Sequence, residues 1–322
     1  MNSLTFKLRE KARQILKEGQ AEAILAFTEG PTPFKPRLAL IKSPEEAERI
    51  VWPGFSGLNP LTLWPKIKDI KTAIFATGCI SRTLAVLIKE KQLEREEIYV
   101  VGVPCPGLLD PQKIPDKPEI KKIDEKEEKI FFETQKETKV FLRRELLRET
   151  CLSCRHPSPT LYDEILEGES LTPSKIPFSR VEELEKLSSE ERAYWFFEKI
   201  VSPCIRCYAC RNACPLCYCP QCFVDDSRPQ WVGKTRDPID NLLYHLVRAF
   251  HLAGRCVNCG SCEAACPLGL PLQVLNQKLI KEAFENFTYE AGLDLESPLL
   301  FDTYDEKDPD DFIVTAKRKT GG

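Results

Sequence analysis

The chain has 322 residues, of which 42% are hydrophobic, and its 46 Lys and Arg stand against 49 Asp and Glu for a formal net charge of −3. That length allows two domains with separate cores. The even mixing of acid and base excludes the one-signed basic surface of a nucleic-acid binder. No apolar run is long enough to cross a bilayer, and the charged stretch from Leu4 to Lys11 lacks the apolar centre of a secretory signal. A cytoplasmic chain without membrane insertion is expected, and its fifteen cysteines then read as metal ligands rather than disulfides.

Leu4, Leu8, Ala12 and Ile15 recur at helical spacing over residues 4–18, with Gly19 as the stop. Short apolar runs at 23–27, 38–41, 72–76 and 97–103 read as strands. Between the last two, residues 81–92 read as a helix with Leu84, Leu87 and Ile88 on one face. Strand, helix, strand makes a βαβ unit with parallel strands and a right-handed crossover, so an α/β domain is expected at 1–170. Charge dominates 119–139, where Ile120, Ile123, Ile130, Phe131 and Phe132 are the apolar anchors, and an exposed hairpin and a loose insertion are both compatible with it. Residues 140–149 read as a helix leading to Cys151. The four prolines between Pro157 and Pro177 mark an irregular connection, after which a helix over 182–200 delivers Cys204.

Two copies of one pattern follow: Cys204, Cys207, Cys210 and Cys214 before Pro215, then Cys256, Cys259, Cys262 and Cys266 before Pro267. Each reads C-x2-C-x2-C-x3-C-P, the run that holds 4Fe-4S clusters in two-cluster ferredoxins, where the fourth cysteine ligates the other cluster. The expected sets are Cys204, Cys207, Cys210 and Cys266 for one cluster and Cys256, Cys259, Cys262 and Cys214 for the other. Structural zinc, built from two separated C-x2-C pairs, fits this spacing poorly. Between the runs, Asp237 and Pro238 open a helix whose stripe of Ile239, Leu242, Leu243, Leu246, Val247 and Phe250 is expected to pack between the clusters. A further helix from Pro271 carries Leu272, Leu275, Leu279, Ala283 and Phe284. An α-helical two-cluster ferredoxin domain is expected at 171–290, followed by an acidic tail at 291–322 with Asp302, Asp305, Asp308, Asp310 and Asp311.

Cys79 and Cys105 directly follow the two parallel strands and emerge at the carboxyl edge of the sheet, where α/β proteins build sites. With the C-x2-C pair Cys151 and Cys154 they make four ligands for a third 4Fe-4S cluster; the alternative is ordinary buried thiols. Gly78, Gly102 and Gly107 beside them allow a close approach of backbone to a cofactor. Cys217, Cys219 and Cys222 are left over. They read as spare thiols, as an extra metal site completed by a partner's residue or by one of His156, His245 and His251, or as a replacement for Cys214. His245 and His251, on the helix between the runs, read as structural. Arg206, Arg211 and Arg255 adjoin ligands and either favour reduced clusters or face solvent.

The loops Phe75-Ala-Thr-Gly-Cys79-Ile-Ser-Arg82, Val101-Gly-Val-Pro-Cys105-Pro-Gly107 and Cys151-Leu-Ser-Cys154-Arg-His-Pro157 resemble those of the beta subunits of coenzyme F420-reducing hydrogenase and formate dehydrogenase. The run from Cys204 to Cys219 is similar to dicluster members of that superfamily associated with heterodisulfide-reductase-like complexes. The resemblance implies a 4Fe-4S cluster on Cys79, Cys105, Cys151 and Cys154, and FAD as a further cofactor. No G-x-G-x-x-G occurs here and no residue matches a flavin pocket. The function expected is an iron–sulfur electron-transfer subunit of a cytoplasmic oxidoreductase complex, partnered by hydrogenase, formate dehydrogenase or heterodisulfide-reductase-like subunits. The alternative is a self-contained FAD-dependent oxidoreductase acting on F420H2 or NADH.

Overall fold

A computed structural model describes residues 3–114, 117–126 and 128–301. Helix α1 (Ser3–Glu18) leads into strands β1 (Ala23–Thr28) and β2 (Arg37–Ile41), then β3 (Thr72–Ala76), helix α2 (Gly78–Lys89) and β4 (Ile98–Gly102). With the two-residue strand β8 (Glu164–Ile165) these form a sheet of order β2-β1-β3-β4-β8, in which only β2 runs antiparallel. Successive strand residues face opposite sides. Ile24, Ala26, Ala73 and Val101 meet Leu8, Ala12 and Ile15 of α1, whereas Leu25, Ile74 and Val100 meet Leu84 and Leu87 of α2. Burial on both faces is the reason these strands are nearly continuous apolar runs. The expected βαβ unit stands as read.

The charged stretch is neither a lone hairpin nor loose. Strands β5 (Lys122–Lys126), β6 (Lys129–Glu133) and β7 (Thr138–Leu142) form a separate antiparallel sheet. Its inner face buries Ile130 and Phe132 against Phe55, Leu109, Leu146 and Leu147. The helix expected at 140–149 is correspondingly shorter: β7 occupies its start, and one-turn helices α3 (Arg143–Leu146) and α4 (Glu149–Leu152) follow.

The expected helix at 182–200 is two helices, α5 (Ser179–Glu185) and α6 (Ser189–Phe196), continued by a π-helical turn over Phe197–Val201. Ser188 caps α6 by accepting from the Glu191 amide at 3.2 Å, while Glu191 accepts from the Ser188 amide at 2.8 Å. Each cysteine run contains a one-turn helix, α7 (Ala209–Asn212) and α9 (Ser261–Ala264). Between them lies α8 (Pro238–His251), capped by Asp237 accepting from the Ile239 amide at 2.8 Å, and α10 (Gln273–Phe287) closes the domain.

Helix α8 is turned opposite to expectation. Its inward face carries Asn241, Tyr244, His245, Arg248 and Ala249, while Ile239 and Phe250 are 75% and 65% exposed, with Leu243 and Leu246 also outside. The reason is polar: Asn241 Nδ2 donates to the carbonyl oxygens of Val201 and Cys204 at 3.1 and 2.9 Å. Carbonyls left free by the cysteine loop need donors more than the stripe needs burial.

One core cluster joins both halves, adding Leu216, Leu252, Val257 and Ala291 to the α2 side of the sheet. Trp64 Nε1 donates across it to Pro215 O at 3.2 Å. Residues 291–301, assigned to a tail by sequence, therefore belong partly to the core: Ala291 is buried, and Lys89 Nζ donates to Asp294 O at 3.2 Å. Asp302, Asp305, Asp308, Asp310 and Asp311 lie outside the described residues. Among the described residues no helix is long and apolar enough to cross a membrane.

Candidate metal centres

The two cysteine runs fold as copies of one loop. The second residue after the first cysteine, Arg206 or Asn258, and the fourth, Tyr208 or Gly260, all take positive φ, between 50° and 74°. Three of the four are not glycine, and such strain clusters where a site over-determines the backbone. The turn aims amides inward: the Arg206 amide donates to Cys204 Sγ at 3.3 Å. Gly260 also admits the other domain, since a Cβ there would meet Thr150 Oγ1 at 2.6 Å.

The loops exchange their fourth thiols. Cys204 has Cys210, Cys266 and Cys207 as its neighbouring thiols, and the same four line one small cavity. Cys214 lies instead among Cys256, Cys259 and Cys262. The first group, the outer site, includes the exposed Cys207; the second, the middle site, has no exposed cysteine. Donors surround the sulfurs: Tyr244 Oη lies 3.1 Å from Cys210 Sγ, His245 Nε2 lies 3.3 Å from Cys204 Sγ, and Gln273 Nε2 lies 3.8 Å from Cys256 Sγ. Burial, reinforced by the Arg248 charge, drops the His245 pKa to about 4. A neutral imidazole protonated on Nε2 can donate to that sulfur.

The third group forms where the sheet ends. Cys79 sits in the first turn of α2 after β3, and Cys105 follows β4. The three-stranded sheet returns the chain so that the Arg148 amide donates to Leu108 O at 2.9 Å, setting Cys151 against the 105–110 loop, where the Leu108 amide donates to Cys151 Sγ at 3.3 Å. Gly78 is required by close approach: its Cβ would stand 1.9 Å from His156 O, just past Cys154. Cys79, Cys105, Cys151 and Cys154 line one cavity of about 80 Å³, and Cys259 of the middle site borders it. The sheet-edge group thus adjoins the middle group.

Burial is the largest cause that pushes the thiols of Cys105 and Cys256 up to about 12 and that of Cys154 to about 11. Cys79 and Cys262 are raised further by burial and neighbouring thiols. Anionic sulfur at such positions requires bound positive charge, which iron supplies. Each group supplies four thiols, the number that a 4Fe-4S cluster takes. The donor sets fit clusters.

The three leftover thiols have different surroundings. Cys217 turns toward Cys214 and Arg248, Cys222 pairs with Arg211, and Cys219 is exposed. The histidines lie elsewhere: His156 Nε2 contacts Glu290 Oε2 at 2.9 Å, and His251 packs edge-on against Phe223 at 5.4 Å. Arg206, Arg211 and Arg255 are paired with Asp240, Asp225 and Glu90. Sequence reasoning passed over Arg82, Arg248 and Asn59, all buried; nothing in their spacing marks them, because their partners come from distant segments.

Residues 200–270 match the family described as a 4Fe-4S dicluster domain. That segment is therefore a 4Fe-4S dicluster domain. The chain is 34% identical over 105 residues to the F420-dependent formate dehydrogenase subunit beta of Methanocaldococcus jannaschii, an alignment spanning 33% of this chain and 27% of that relative. It is 22% identical over 354 aligned positions to the F420-dependent formate dehydrogenase 1 subunit beta of Methanococcus maripaludis, spanning 89% and 90% of the two chains. A solved F420-reducing NiFe hydrogenase complex from Methanosarcina barkeri aligns over 62% of this chain and 86% of its own at 12% identity, with a TM-score of 0.36. The resemblance read from the cysteine loops, to the F420-reducing hydrogenase and formate dehydrogenase beta-subunit superfamily, is supported by these relatives.

Proposed function

We propose that the chain is a cytoplasmic electron-relay subunit of a formate dehydrogenase- or hydrogenase-like complex, with three 4Fe-4S stations in line. Cys79, Cys105, Cys151 and Cys154 hold the sheet-edge station, Cys256, Cys259, Cys262 and Cys214 the middle one, and Cys204, Cys207, Cys210 and Cys266 the outer one. When bound, the clusters supply reversible one-electron transfer. The observation that carries the reading is the adjacency of the sheet-edge and middle thiol groups, with Cys259 of the middle set on the wall of the sheet-edge cavity. The chain's own residues fix the sulfurs, exclude water from the two inner sites and donate hydrogen bonds to sulfur, all of which set potential.

Oxidation of the organic or gaseous donor belongs to a partner subunit. The exposed stripe of Ile239, Leu243, Leu246 and Phe250 supports a subunit role, as contiguous apolar surface marks interaction sites. Anaerobic purification with iron, sulfide and flavin analysis tests the reading. About twelve irons per chain without flavin is the expected result, and stoichiometric FAD with turnover of F420H2 by the isolated chain would replace it with the alternative.

A further inference from the structure

Two buried guanidinium groups each lie near thiols of two of the groups. Arg248, 6% exposed on the inward face of α8, donates from Nη2 to Cys210 O at 3.1 Å, and its Nε is buried without an acceptor. Its neighbouring thiols are Cys262 and Cys214 of the middle group, Cys210 of the outer group and the leftover Cys217. Arg82, 5% exposed and one turn along α2 from Cys79, donates from Nε to Ala291 O at 2.9 Å. Near it lie Glu290 and the thiols of Cys154, Cys79 and Cys256, which belong to the sheet-edge and middle groups.

The arrangement differs from that of the arginines next to ligands in sequence, each of which a carboxylate neutralises. Neither Arg82 nor Arg248 makes a carboxylate ion pair among the described residues. Burying an unpaired charge costs several kcal/mol, by general estimate about the penalty of breaking a buried pair. Nearby negative charge offsets it: the Glu290 carboxylate supplies part of it at Arg82, and thiolate-held iron–sulfur cores would supply the rest there and at Arg248. Each electron added makes such a core more negative by one charge, so attraction to a fixed cation grows on reduction.

We propose that Arg82 and Arg248 are the charge-positioning residues of the relay: each raises the reduction potentials of the two stations near it, and the middle station, next to both, is raised most. This rests on the relay reading. Its consequence is that an electron leaving either end meets a favourable site at the centre of the chain rather than a barrier.

The test is an EPR-monitored redox titration of the full, anaerobically reconstituted chain, preceded by iron and sulfide counts. Wild-type protein lacking sulfide would end the relay reading itself; a full complement in every variant with unmoved midpoints overturns only the present proposal. Arg248→Gln is expected to make reduction of the outer and middle stations at least tenfold less favourable, a fall of 59 mV for a one-electron couple. Arg82→Gln should do the same for the sheet-edge and middle stations, and the double variant should displace the middle station furthest. Lysine at either position should retain most of the wild-type midpoint. Should the glutamine variants fail to hold iron, the lysine variants decide. They keep the charge but drop the fixed bond to Cys210 or Ala291, so retained midpoints support the proposal and a tenfold loss overturns it.

Discussion

The backbone amide of Asn59 donates to the hydroxyl of Ser261 at 2.7 Å, fastening the α/β domain to the second cysteine run. The Asn59 side chain donates to Thr83 Oγ1 at 2.9 Å and accepts from the Leu61 amide at 3.0 Å, and Thr83 in turn donates to Cys79 O at 2.8 Å. One buried amide therefore ties the helix bearing Cys79 to the loop bearing Cys259. Asn59→Leu, similar in size, strands the Leu61 amide, removes the donor to Thr83 Oγ1 and should lower unfolding free energy by about 1–3 kcal/mol. Ser261→Ala should cost less. Denaturant unfolding of the loaded protein measures both, and an Asn59→Leu effect within error of zero would show that the bridge contributes nothing.

Gly78 has no room for a methyl group, because His156 O would be its nearest neighbour at 1.9 Å. That oxygen belongs to the chain just beyond Cys154, so Gly78→Ala must move either Cys79 or the Cys154 segment. Overpacking of this type costs about 1–3 kcal/mol. The expected result is loss of sheet-edge iron with the dicluster part still loaded, read as iron per chain and a missing EPR component.

Glu90, the residue that follows α2 in the α/β domain, accepts from Arg255 Nη2 at 2.8 Å and from the Tyr218 hydroxyl, while the Arg255 guanidinium lies 5.2 Å from the Tyr218 ring centre. Burial and the Glu90 carboxylate push the Tyr218 hydroxyl well above the ordinary tyrosine range. Arg255 keeps about a quarter of its side chain in water, so Glu90→Gln should cost about 1–3 kcal/mol, below the 3–5 typical of a fully buried pair. Thermal unfolding of the loaded protein checks this, and Glu90→Asp should recover part of the loss.

The parallel unit and its two loop cysteines were legible because β3, β4 and α2 obey simple periodicities and the thiols fall where such strands end. The two cysteine runs were legible from their doubled spacing. Helix α8 was not, because its buried face is chosen by the carbonyls of Val201, Cys204 and Cys210, whose demand for Asn241 and Arg248 is invisible until the loops are folded. Strands β5 and β7 were hidden for a related reason: they cover their core with only Ile123 and Phe141, and β6 supplies the rest. Arg82 escaped notice because its partners, Ala291 O and the Cys154 and Cys256 thiols, lie far along the chain.

Glu290 carries the pH dependence of the segment after α10. Burial raises its pKa, but the His156 hydrogen bond and the His156, Arg155 and Arg82 charges outweigh that and hold it below the usual carboxylate value. A depressed folded-state pKa contributes stability above the unfolded value, about 4.3 for Glu, and that stability is lost as pH falls through the folded value. Amide exchange in residues 288–294 should therefore stay slow from pH 7 to 5. In Glu290→Gln it should be fast already at pH 7, and equal protection in the two proteins at pH 7 would remove the carboxylate from the account.

Ligand assignment is most directly separated by serine replacement, because the three thiol sets should fail independently. Cys79→Ser removes one sulfur from the sheet-edge set and should reduce iron from about twelve to about eight per chain, leaving the interacting EPR signal of the dicluster pair. Cys266→Ser should behave like Cys204→Ser rather than like Cys256→Ser, although Cys266 stands in the same run as Cys256, since Cys266 lines the outer cavity. Cys219→Ser and Cys222→Ser should leave iron unchanged. Cys217 is the discriminating case: it touches Cys214 and faces Arg248, so iron retained in Cys217→Ser but lost in Cys214→Ser assigns the middle station to Cys214, and the reverse outcome transfers the ligand to Cys217.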